Sequence, residues 1–277
     1  MSFSFFVFHE TQRKDLIFLP ELSVMSTPFV DIHTHCAVTP TTSGSVCLLQ
    51  SYAIHPWWLD DHPEPDFIDR QLQHLATLLR DDRLAAIGET GIDHNHKDTL
   101  NLQLDSFEKH ILLSEQYQKP LIIHNVGGTG ELLALHKKHH PSQAWIIHGF
   151  NGTPQEAMAL TKKGICLSVG ESLFYPNRKI TKSISSIPLD YLFLETDTSG
   201  KTIREIYEKA AEQLNLPLGV LKQRIFANFA RLNLTTWKTG ETEPVDASAI
   251  VTEGVEEQNK VSNVGTIGIV PFLVKLG

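Results

Sequence analysis

From residue 29 to residue 232, short apolar runs alternate with longer segments of helical period. The runs are Phe29–His33, Val46–Ile54, Leu84–Gly88, Leu121–His124, Trp145–His148, Ile165–Val169 and Tyr191–Glu195. Most are nearly continuous in Ile, Leu, Val and Ala rather than alternating, the mark of a strand covered on both faces. Between them, Asp66–Arg80 places Phe67, Ile68, Leu72, Leu75 and Leu79 on one helix face, and Leu100–Tyr117 groups Leu104, Phe107, Ile111 and Leu112. Thr153-Pro154-Gln155-Glu156 reads as a capping box with proline in the first turn, opening a helix that runs to Lys163 and stops at Gly164. Thr202–Leu214 and Leu218–Leu232 complete the set. Strands alternating with helices predict parallel βαβ units. Strands that need cover on both faces predict an α/β barrel of the TIM type, distorted, with seven parallel strands where the full form has eight.

The ends break the pattern. Residues 1–27 read as an N-terminal extension, with Met25-Ser26-Thr27-Pro28 as the start of the domain proper, which spans 28–237. Ser4-Phe5-Phe6-Val7-Phe8 is apolar, but no Lys or Arg precedes it and it is too short for a secretory core. Residues 238–277 read as a flexible tail, since 238–264 are rich in Thr, Glu, Gly, Val and Ser with no helical period. The apolar stretch 265–274 within it suggests a stray strand.

Composition adds limits rather than direction. The 277 residues, 41% apolar and 20% charged, suit one large α/β domain or two small ones. No apolar run approaches the ~18 residues of a membrane span. Cys36, Cys47 and Cys166 are odd in number and show no CxxC spacing, which argues against a disulfide scaffold and fits a cytoplasmic protein. A net charge of −8 supplies no global basic field, so nucleic-acid binding would rest on local patches. Nothing in the sequence implies an obligate protein partner. Of the 14 histidines, His136, His139 and His140 read as lying at a solvated helix end.

The chemistry gathers where strands end. Asp31-Ile32-His33-Thr34-His35 closes the first run, and Glu89, His124, His148 and Asp197 lie at or just after the ends of four others. In a parallel barrel these ends converge on one face, which carries the active site. His33 and His35, two apart on a strand, face one side. Glu89 lies in Gly88-Glu89-Thr90-Gly91, where two glycines let the backbone turn sharply, and a carboxylate can bridge two cations. Each residue alone has an ordinary reading: a core histidine for His124 or His148, a turn carboxylate for Glu89, a helix cap for Asp197. Five strand ends bearing such groups are not explained by structure, which would scatter them along the strands. Together His33, His35, Glu89, His124, His148 and Asp197 make a site for one or two divalent metal ions, with Asp197 and Glu89 as the catalytic carboxylates.

These pieces resemble the TatD family of metal-dependent hydrolases, often described as TatD DNases. The matching segments are Asp31–His35, Ile54-His55-Pro56-Trp57, Ile87–Asp93, Pro120–His124, Ile147–Gly152, Leu194–Asp197 and Ala227-Asn228-Phe229. The resemblance implies a barrel that cleaves phosphodiester bonds, commonly as a 3′–5′ exonuclease on DNA, with magnesium, manganese or zinc. It implies one metal held by His33, His35, Glu89 and Asp197, a second by Glu89, His124 and His148, and Asp197 as acid/base. Two departures stand out. Only 19 residues separate His35 from His55, too few for the helix–strand–helix that family members carry there. Val126 stands two residues after His124, where the family usually has an arginine able to grip phosphate. His55, Arg178 and Lys201 are the candidates for substrate contact, the two cations as replacements for that arginine. Asp93 is a candidate partner orienting a ligand histidine.

Three functions compete. The first is a metal-dependent phosphodiesterase acting on DNA or another phosphodiester. The second is an amidohydrolase-like enzyme on a small ester or amide, although no lysine ends an apolar strand to serve as a carboxylated bridge. The third is a catalytically quiet metal-binding scaffold.

Overall fold

The computed structural model describes residues 27–35, 46–48, 50–62 and 64–232. The extension before Thr27 and the tail from residue 233 onward lie outside the described residues, as does Cys36. Eight short strands and eight helices follow in order: β1 (Phe29–Asp31), β2 (Val46–Leu48), β3 (Ser51–Tyr52), α1 (Trp58–Asp61), α2 (Pro65–Arg80), β4 (Ala86–Asp93), α3 (Leu100–Tyr117), β5 (Leu121–Val126), α4 (Thr129–His139), β6 (Trp145–Ile147), α5 (Pro154–Thr161), β7 (Cys166–Val169), α6 (Ile180–Ser183), β8 (Leu192–Leu194), α7 (Ile203–Leu214) and α8 (Leu218–Arg231).

Every pairing is parallel, and the pairings run round a ring. β3 to β8 form one sheet in sequence order, and β1 pairs with β2. Past the end of β1 the chain meets the end of β8: Ile32 N–H donates to Leu194 C=O (3.1 Å), Asp197 N–H to His33 C=O (3.0 Å) and His35 N–H to Asp197 C=O (3.0 Å). Further down, the Tyr207 hydroxyl from α7 accepts from Val30 N–H (3.1 Å) and donates to Val30 C=O (3.0 Å), so the β1 backbone is satisfied where it parts from β8. The predicted strand Val46–Ile54 is two strands. β2 serves β1, and β3 begins three residues later and serves β4. The ring therefore has seven staves, one built from β2 and β3 in succession, and this is the distorted seven-stranded (β/α) barrel that the alternation of runs predicts. The strands are covered on both faces: Val30, Ile87, Ile122, Ile146, Leu167 and Phe193 are all fully buried.

Two expectations change. Gly88 and Gly91 do not turn the chain at a strand end, because β4 continues to Asp93. Pairing with β5 instead slips between Ile87 and Thr90, so that three residues of β4 span two of β5. This is a bulge, which re-aims the side chain it carries, here Glu89. A Cβ at Gly91 (φ +148°) would lie 2.0 Å from the His124 carbonyl oxygen, and one at Gly88 would lie 2.5 Å from Ile122 Cβ, so both glycines are required by close approach to β5. Leu112 does not join the buried face of α3. Phe107 and Ile111, four apart, are buried, and Leu112, a further ~100° round the helix, is exposed.

The capping box of α5 forms as read, with the Thr153 side chain accepting from Glu156 N–H. Of the three histidines at the end of α4, only His140 is exposed. His136 packs edge-on against Trp145, and His139 bonds Glu108 (2.7 Å). No helix among the described residues is long and apolar enough to cross a membrane.

Candidate metal centre

All six residues singled out at strand ends meet at the C-terminal mouth of the barrel, around the carboxylate of Glu89. Its two oxygens divide the ring of donors. Oε2 faces His33 Nε2 (3.2 Å) and His35 Nε2 (3.4 Å). Oε1 faces His124 Nδ1 (2.8 Å), His148 Nε2 (2.5 Å) and His55 Nε2 (3.2 Å). Asp197 closes the first group, with Oδ1 at 3.7 Å from His33 and 3.5 Å from His35. Asp197 takes a left-handed backbone (φ +51°), held by the hydrogen bonds to His33 C=O and His35 N–H. Its alternative reading as a helix cap is excluded, because Thr202 caps α7 in a capping box with Glu205.

These spacings fit cations. Atoms that share one ion at about 2.1 Å stand roughly 3.0–3.4 Å apart. Three overlapping groups gather their donor atoms within 4.8 Å of one another, near enough to close on a shared ion: His33, His35 and Glu89; His33, His148 and Asp197; His55, Glu89 and His124. His33 Nε2 is buried and makes no hydrogen bond, an orphan that a positive ion would satisfy.

Partners outside this ring set the tautomers. The Trp57 backbone N–H donates to His55 Nδ1 (3.2 Å), so His55 carries its proton on Nε2 and donates to Glu89. Burial holds the His55 pKa below the usual imidazole value, although Glu89 pulls the other way, so it is a neutral donor. His124 Nε2 lies 3.0 Å from Asp93 Oδ2, a contact that orients the ring with Nδ1 toward Glu89. Asp93 also accepts from the Trp57 indole N–H (2.8 Å). Burial pushes the Asp93 carboxyl up, but these bonds outweigh it and hold it down. Glu195 lies behind His148, with Oε1 at 3.7 Å from Nδ1, and accepts from Gly149 N–H (2.5 Å). Burial likewise opposes ionisation of Glu89, yet His148 and the bonds from His124 and His148 hold its pKa well below the carboxylate range. Asp197 moves the other way: burial raises it, and the charge of Glu195 adds to that.

Sequence reasoning named Asp93 and His55 without fixing their roles, and gave Glu195 no role. Glu195 stands two residues before Asp197, the spacing that puts two side chains on one side of a strand, and that was its available signal. Asp31, read only as a companion of the two histidines, is fully buried and tied to Thr196 by two hydrogen bonds, and burial pushes its carboxyl up to about 7. Arg178 stands exposed on the loop after β7. Lys201, on the loop after β8, lies 3.6 Å from Glu205 and over the Phe174 ring. Val126 ends β5, and its carbonyl accepts from His94 N–H (2.8 Å).

The sequence model of the TatD-related DNase family matches residues 22–233. An uncharacterized metal-dependent hydrolase of Haemophilus influenzae is 27% identical over 184 residues, 64% of this chain and 68% of that one. An uncharacterized metal-dependent hydrolase of Escherichia coli, YjjV, is 31% identical over 153 residues, 54% of this chain and 58% of that one. The chain thus spans roughly three fifths to two thirds of these curated relatives. The crystal structure of YjjV, described as a TatD homologue, superposes with a TM-score of 0.63 at 20% identity, covering 75% of this chain and 98% of that one, a likeness of fold.

Proposed function

The chain belongs to the TatD-related DNase family, and from that premise we propose that it is a metal-dependent hydrolase that cleaves phosphodiester bonds, with DNA ends as the leading substrate. The observation that carries the reading is the divided carboxylate of Glu89, one oxygen toward His33 and His35 and the other toward His124 and His148. That arrangement suits one or two divalent cations (magnesium, manganese or zinc), the first held by His33, His35, Glu89 and Asp197, the second by Glu89, His124 and His148. Such cations, when bound, ionise water near neutral pH and neutralise charge on phosphoryl oxygens. Asp197 is the acid/base: its side chain is 35% exposed against 8% for Glu89, so it is the carboxylate that water and substrate reach. His55 donates to Glu89 and fixes the direction of the bridge. Asp93 and Glu195 hold the rings of His124 and His148. Arg178 and Lys201, on loops at the same mouth, are proposed as phosphate contacts in place of the arginine that Val126 replaces.

The test is hydrolysis of 3′-ended single-stranded DNA by purified protein with EDTA, magnesium, manganese or zinc, beside Asp197→Asn. Metal-dependent shortening that disappears in the variant supports the reading. Metal-loaded protein that leaves DNA intact but hydrolyses a small ester or amide moves the substrate to that class. Metal binding with no turnover on either panel makes the protein a scaffold.

A further inference from the structure

Five large apolar side chains are exposed among the described residues. Leu112, Met158 and Val220 lie on the outer helices α3, α5 and α8, where isolated apolar groups need no explanation, and Tyr175 is tied through its hydroxyl to Glu171 (2.9 Å). Trp57 is different. It sits beside the metal-type ligands, and although 41% of it is open to solvent it is held from several directions. Its indole N–H is fixed to buried Asp93 (2.8 Å), its ring stacks on His96 (centroids 5.5 Å, planes 30° apart), and it meets His55 and His124 in T-shaped contacts (4.9 and 5.9 Å). His96 is itself anchored by Asp60, whose other oxygen accepts from the Thr99 hydroxyl (2.9 Å). An exposed tryptophan immobilised in this way pays its ordering cost before any ligand arrives, which suits it to bind a flat ring.

We propose that Trp57, backed by His96, is the platform on which a planar ring of the substrate stacks, the nucleobase next to the scissile phosphodiester. The inference rests on the phosphodiesterase reading and adds a determinant of which esters are accepted. The platform recognises a π-face rather than a hydrogen-bond pattern, so it favours nucleotides over sugar phosphates and discriminates little among bases. It also links recognition to the metal ligands, since Asp93 bonds both Trp57 and His124.

Calorimetric titration of manganese-loaded protein with thymidine 5′-phosphate and with deoxyribose 5-phosphate tests it. Wild type binds the nucleotide about 10-fold or more tighter, as stacking of one base implies. Trp57→Phe keeps a ring and loses the indole bond to Asp93; Trp57→Leu loses both. The proposal expects the preference to survive in the phenylalanine variant and to vanish in the leucine variant. Equal binding of the two ligands by wild type overturns it. So does an equal loss for both ligands in both variants, which would reduce Trp57 to positioning Asp93. Phosphodiester hydrolysis is measured separately on wild type. Protein that shows the base preference but cleaves no phosphodiester with any metal sinks the functional reading and leaves the platform as a ring-binding site.

Discussion

Asp31 and Thr196 are joined twice: Oδ1 accepts the Thr196 backbone N–H at 2.9 Å and Oδ2 the Thr196 hydroxyl at 2.7 Å. The pair clamps the strand that ends in His33 and His35 to the segment that ends in Asp197, within the fully buried wall of the barrel. Both halves of one candidate metal site therefore depend on a contact that touches neither metal nor substrate.

Asp31→Ala should cost stability, because it leaves the buried N–H and hydroxyl of Thr196 without partners. Each unsatisfied group costs roughly 1–3 kcal/mol, so for two groups a loss of about 2–6 kcal/mol is expected in urea unfolding. Turnover should fall with it, as His33 and Asp197 lose their common frame. An unchanged unfolding midpoint would show that the clamp contributes nothing.

Asp93→Ala should weaken metal binding by about 10- to 100-fold by freeing the His124 ring to rotate and to change tautomer. Competition with a chelator of known affinity measures this directly, without reference to turnover. Retained affinity would mean that packing against Trp57 and His148 alone orients His124.

Glu89→Gln should be the most damaging isosteric change at the centre. It preserves volume but removes the charge that faces five imidazoles and offers one oxygen where two are used. Metal stoichiometry by elemental analysis should drop, and hydrolysis should fall by about 100-fold or more. Full metal content with normal turnover would remove Glu89 from the bridging position.

The metal-type residues were legible in the sequence because a parallel barrel converts position along a strand into position in space. His33, His124, His148 and Asp197 need only lie at or just past strand ends to meet. What was not legible depends on pairing between distant segments. The slip of β4 against β5, which aims Glu89, follows from Gly88 and Gly91 pressing on Ile122 and His124, and no local signal separates that from a turn. The division of Val46–Ile54 into β2 and β3 reflects two different neighbours, β1 and β4, that an apolar run does not reveal. Asp93 is readable as a partner of a ligand histidine, but Asp31 and Glu195 look like the ligand carboxylates in sequence. Only geometry shows that they hold backbone and imidazole groups instead.

His110 makes the stability of the whole domain depend on pH. It is fully buried in α3, with Nδ1 2.7 Å from the Ser106 carbonyl and Nε2 3.2 Å from the backbone nitrogen of Ile54, the residue before His55. Ile54 N–H can only donate, so Nε2 must accept, and the neutral Nδ1–H tautomer is the one that fits. Burial accordingly pulls the His110 pKa down to about 4. The unfolded chain, with a value near 6.5, binds this proton more readily than the folded one. The contribution of a neutral His110 is thus fully present above about pH 6.5 and is lost as pH falls toward 4, where it amounts to about 3 kcal/mol. His110→Gln removes the titration while leaving a neutral side chain at the position. In urea unfolding with EDTA present, the stability of wild type relative to this variant should shrink by up to that amount between pH 7 and pH 4. A constant difference across the range would mean that His110 keeps an ordinary pKa and that its burial is compensated by contacts other than the bonds to Ser106 and Ile54.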